Sequence, residues 1–188
     1  FWPFILADLA FVPVLAITIV PALIRTGRHS NLALVGLLVL LFVANLYFHF
    51  GGGLTALHLA INTLLVTVTL VAGRVIPSFT SAALRQRGME IKIRRLPFLN
   101  EALLLTTATI LAVDLFFPNT EWAAGLAVIT ALLMTVQLSR WYGHRTMQEP
   151  IVWILHLAYL WLPVSLVMKA LYLSGAPIPA TSWLHMLT

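Results

Sequence analysis

Apolar residues in this chain run in long blocks separated by short polar or glycine- and proline-containing breaks. They do not alternate in the two-residue period of a half-buried strand. A hydrocarbon core ~30 Å thick needs ~20 apolar residues in a helix to cross it. Six blocks meet that length, at 1–24, 32–50, 54–75, 97–117, 121–142 and 150–173. Between them lie Thr26-Gly27-Arg28-His29-Ser30, Gly51-Gly52-Gly53, a basic connection over 76–96, Pro118-Asn119-Thr120 and Gly143-His144-Arg145. The pattern predicts an all-α bundle of six spanning helices, with the start of a seventh after Ser174-Gly175-Ala176-Pro177. Prolines 3, 13, 21 and 163 fall inside spans one and six, where neighbouring helices can satisfy the carbonyls they free. The sequence opens on Phe1 and closes just after a new apolar segment begins, so it reads as an internal piece of a longer chain.

Composition supports lipid as the outer solvent. Hydrophobic residues make up 61% of the 188 positions and charged ones only 9%, against the roughly 25% that a soluble domain carries. There is no cysteine, which excludes disulfides, thiolate-held zinc, iron–sulfur clusters and covalently attached haem.

A net charge of +5 raises nucleic acid as a partner, but the basic residues have a topological order. Arg25 and Arg28 follow span one. Arg74, Arg85, Arg87, Lys92, Arg94 and Arg95 follow span three, and Arg140 and Arg145 follow span five. Ten of the eleven basic residues therefore share one side, which the positive-inside rule makes cytoplasmic. Loops 25–31, 76–96 and 143–149 are expected there, and membrane topology replaces nucleic acid as the reason for the charge. Lys169, near the end of span six, is expected to snorkel to the opposite interface.

Against this background the stretch Ala44–Asn62 stands out, with Asn45 and His49 before the three glycines and His58 and Asn62 after them. Each pair is four residues apart and so shares a helix face. His49 and His58 lie at similar depth on the non-cytoplasmic side, and Thr55, His58, Asn62, Thr69 and Gly73 form one polar stripe at ~100° per residue. Such groups can simply bond helix to helix. Ionisable groups inside a membrane are more often functional, and neutral imidazole is a common metal and haem ligand. An asparagine one turn away can fix the ring tautomer. His185 opens the seventh segment at the same level, so His49, His58 and His185 are expected to cluster as metal ligands, with Asn45 and Asn62 behind them. His156 lies ~9–10 Å into span six from the other end, with Trp153, Tyr159 and Pro163 on its face, which implies a separate site at a different depth. Asp8 is the one acid well inside an apolar run, and either begins span one or serves an ion or proton. His29 and His144 sit beside arginines and read as interfacial.

Three blocks resemble one family. They are Gly73-Arg74-Val75-Ile76-Pro77-Ser78-Phe79-Thr80 after the His-x3-Asn helix, Glu149-Pro150-Ile151-Val152-Trp153-Ile154-Leu155-His156-Leu157-Ala158-Tyr159-Leu160-Trp161-Leu162-Pro163, and His185-Met186-Leu187-Thr188. Together they look like NnrS, a family of bacterial inner-membrane proteins associated with nitric oxide and nitrosative stress. Its members carry haem and copper on about twelve spans, of which this chain resembles about half; Met186 departs from the family's usual alanine. The resemblance adds weight to His49, His58, His156 and His185 as haem or copper ligands. It makes Arg74 either a contact for a haem propionate or an interfacial cap.

The resemblance implies haem b, since no cysteine can anchor the group, and copper as a second metal. It also implies nitric oxide or a metal nitrosyl as the small ligand, and a membrane complex or oligomer as the setting. No motif separates turnover of nitric oxide from binding it. Two other classes stay open: a transporter or channel using the His/Asn/Thr stripe, and a structural subunit of a respiratory membrane complex. Hydrolytic chemistry finds no His–carboxylate pair converging on a serine, and the three glycines lack the Lys-Ser/Thr of a phosphate loop.

Overall fold

The computed structural model describes residues 2–25, 29–89, 91, 93, 96–179 and 181–187. Of the positions singled out above, Phe1, Arg28, Lys92, Arg94, Arg95 and Thr188 lie outside these, as does the side chain of His29. The helices are α1 (Trp2–Arg25), α2 (His29–Tyr47), α3 (Gly53–Gln86), α4 (Pro97–Phe116), α5 (Glu121–Ser139), α6 (Pro150–Leu173) and the short α7 (Ser182–Leu187). Five helical runs are long and apolar enough to cross a membrane, and the second of these, Asn31–Gln86, contains both α2 and α3. The break between them is at the glycines: Phe50 and Gly51 leave helical geometry, Gly51 has φ 94° and Gly53 φ 51°. Those angles favour glycine. Gly52 is required for another reason, because a Cβ there would lie 2.7 Å from the Tyr47 ring.

The chain divides into two compact units, residues 1–67 and 68–188, with the boundary inside α3. In the first unit α1 packs on α2, and the outward faces of both are greasy, with Phe4, Phe11, Ile17 and Val39 all exposed. Lipid can take such faces; water cannot.

The second unit is built on α5 and α6, with α4 packed on α5 and α7 on α6. Small residues Ala123, Ala124, Ala127 and Ala131 are buried along α5, which lets helix backbones approach closely as membrane bundles require. Leu103, Ile110, Met134 and Leu166 fill the space around them. Pro97 and Pro150 stand in the first turns of α4 and α6, where a missing N–H costs nothing.

α3 runs further than the apolar block from which it was predicted. It continues through Pro77 to Gln86, so the first half of the expected 76–96 connection is helical. Thr80 and Ser81 donate their hydroxyls back to the carbonyls of Ile76 and Pro77 at 2.8 and 2.7 Å, which supports the turn that proline weakens. The helix stops at Gly88, φ 71°, where Gly88 N–H bonds Arg85 O and Met89 N–H bonds Leu84 O, both at 2.9 Å. This is the paired closure of a glycine-terminated helix. Arg87 then ties this end of α3 to the α5–α6 connection, donating to Arg145 O at 3.1 Å and to Gln148 Oε1 at 2.5 Å.

Candidate functional site

In the first unit His49 has a partner that the pattern of spans did not assign. Asp8 lies inside α1, not at its start, and its Oδ2 is 2.8 Å from His49 Nε2. Asn45, one turn before His49, also bonds the Asp8 carboxylate. Asp8 and Asn45 line a cleft of about 360 Å³ whose walls are Val12, Leu41, Phe48 and Leu57. His58 is half-buried on α3 and Asn62 is buried one turn on, with Thr63 buried beside them.

Haem b and copper, which the family resemblance implies, each need an imidazole nitrogen with a free lone pair. His49 fits. The carboxylate takes Nε2–H, which leaves Nδ1 as the basic nitrogen, and a carboxylate behind the ring is the usual support of a ligating histidine. Within either unit, among the described residues, no three His, Asp or Glu side chains are arranged to hold a metal ion. The expected set of His49, His58 and His185 draws on both units, the first two lying in one and His185 in the other.

In the second unit His156 is buried, at 8% exposure. Its Nδ1–H donates to Val152 O at 2.9 Å, and its Nε2 is 3.4 Å from Thr80 Oγ1. The Thr80 proton is already given to Ile76 O, so Nε2 faces an oxygen across a long, weak contact. Nε2 is therefore the nitrogen that fits a ligating role, and Thr80 is the group that must yield. The ring is wedged against Gly143, where a Cβ would come within 2.6 Å of it. Trp141 meets it edge-on at 6.3 Å.

Trp153 and His156 line an apolar cleft of about 370 Å³ together with Leu138, Leu157 and Leu160. Tyr159 turns elsewhere: its ring packs at a tilt against Trp141, centroids 4.8 Å apart, and its hydroxyl donates to Gln137 Oε1 at 2.8 Å. Gln137 in turn donates to Asn100 Oδ1 at 2.5 Å. This Asn100–Gln137–Tyr159 chain joins α4, α5 and α6. Sequence carried its signal as isolated amides in apolar spans, with nothing to pair them. Arg74 lines a separate cavity of about 310 Å³ with Gly73, Asn100 and Glu101.

Lys169 is a correction. It does not snorkel: it is 3% exposed and forms a buried ion pair with Asp114 of α4. Its ammonium also sits over the Trp183 ring at 4.6 Å. An internal carboxylate and an aromatic face supply what the interface would otherwise provide. Ser165 donates to Trp183 O at 2.8 Å, so α7 is held to α6 two residues before the exposed His185.

No curated protein and no solved structure matches the chain. The family model described as NnrS protein matches residues 1–188, the whole of the sequence. With its long apolar helices and histidines set among them, this polytopic membrane chain belongs to the NnrS family.

Proposed function

We propose that the chain is a haem-binding part of a bacterial inner-membrane protein that protects against nitric oxide and nitrosative stress. The observation that carries this reading is the Asp8–His49 pair at 2.8 Å beside an apolar cleft. It joins an oriented imidazole to a carboxylate that itself lines an apolar cleft, the kind of space that a flat apolar cofactor occupies. His49 and His156 are the proposed haem ligands, with Trp153 on the wall beside His156 and Tyr159 holding Trp141 against its ring. His58 and His185 are proposed to add ligands for haem or copper, and Asn62 to orient His58. Bound haem would supply an iron able to take nitric oxide.

The chain's own contribution is orientation and exclusion of water. Asp8 fixes which nitrogen of His49 is basic, and Val152 does the same for His156. Loops 76–96 and 143–149 are proposed to face the cytoplasm, because they carry most of the basic residues. A reduced-minus-oxidised optical spectrum of the purified protein tests the reading. Bands of a b-type haem support it, and their absence favours the transporter or structural-subunit classes.

A further inference from the structure

We propose that the cavity between α3 and α4 is a lipid site for a zwitterionic phosphoethanolamine headgroup. Arg74 and Glu101 both line it. Neither makes a hydrogen bond or ion pair among the described residues, although each is the natural partner of the other. Two opposite charges that share a cavity without pairing fit a ligand that carries both signs. A guanidinium matches a phosphate, and a carboxylate matches an ammonium.

One further group suits the same occupant. The Asn100 carboxamide accepts from Gln137 through Oδ1, which leaves its NH2 donors for a phosphate or ester oxygen. Leu70, Leu103 and Leu104 complete the wall with apolar surface for an acyl chain.

Depth agrees with a headgroup. Arg74 stands at the end of the apolar run 54–75 in the sequence, a run long enough to cross a hydrocarbon core. Pro97 and Asn100 stand in the first turns of α4, at the same end of the bundle. Basic pockets between helices at this level are where phospholipid headgroups are recognised. The carboxylate of Glu101 argues against a purely anionic headgroup, which it would repel.

The test uses the full protein in vesicles of equal parts phosphatidylethanolamine and phosphatidylglycerol, extracted in mild detergent. Retained lipid is counted by native mass spectrometry and haem by absorbance. Wild type is expected to retain phosphatidylethanolamine over phosphatidylglycerol by about tenfold, the factor that one charge-assisted contact supplies. Arg74→Gln should lose retention of both lipids, whereas Glu101→Gln should keep retention and lose the preference. Equal retention of the two lipids by wild type, or unchanged retention in Arg74→Gln, overturns the proposal. So does an Arg74→Gln protein that loses haem while keeping its lipid, which would assign the guanidinium to a propionate. Lipid retention is read whether or not haem is bound, so this result stands apart from the haem reading.

Discussion

Asp8 in the first helix and His49 just past the end of the second are joined carboxylate to imidazole at 2.8 Å. An exposed Asp8, 57% accessible at its side chain, is a costly residue to keep on a helix whose other faces suit lipid. A role in orienting His49 accounts for it. Asp8→Asn keeps the size and removes the charge, so cofactor held through His49 should weaken by about 10–100-fold. Titration of haem into the stripped protein measures this, and an unchanged affinity would reduce the pair to a helix contact.

Gly143 and His156 give a second expectation. Gly143→Ala would force the ring off its present position, since the new Cβ would meet it at 2.6 Å. His156→Ala should lower haem content while the protein still inserts, and Gly143→Ala should shift the haem absorption in the same preparation. His58→Ala is expected to act on its own, as the proposal of two separate sites requires. Loss of all cofactor in both His58→Ala and His156→Ala would point to one shared site and end that separation.

Lys169→Met alone strands the Asp114 carboxylate, which is 8% exposed. Breaking one side of a buried pair costs about 3–5 kcal/mol. The double variant Asp114→Leu/Lys169→Met removes both charges and should recover most of that loss. Thermal unfolding in detergent distinguishes the two, and a double variant no better than the single one would show that the pair is not the source.

Much of the fold was legible because lipid imposes one simple rule, a long apolar run for each crossing. Length located the helices, and the three glycines located the turn, confirmed by the positive φ of Gly51 and Gly53. What was not legible depends on helix rotation and tilt. Asp8 could be seen as an acid in a span, yet nothing along the chain pairs it with a residue 41 positions away. The same holds for Asn100 with Gln137 and for Asp114 with Lys169. The extension of α3 was hidden by its basic, proline-containing sequence, since a hydropathy count ends where lipid ends and a helix need not. Trp141 beside His156 was not legible on the face of α6, because the edge-on ring comes from the turn just after α5.

Topology is tested by single cysteines in a chain that has none of its own. Thiols introduced at Gln86, at the end of α3, and at Asn119, between α4 and α5, should label from opposite sides of the membrane. Gln86 should react only from the cytoplasmic side. Labelling of both from one side would contradict the orientation drawn from the basic residues.

The most direct test of the central claim is the reduced-minus-oxidised spectrum of the full protein, recorded with wild type and His49→Ala side by side. The account predicts b-type haem bands in wild type, and weaker bands in His49→Ala at equal protein in the membrane. A wild-type spectrum without haem bands, from protein purified with haem available to the cells, would contradict it.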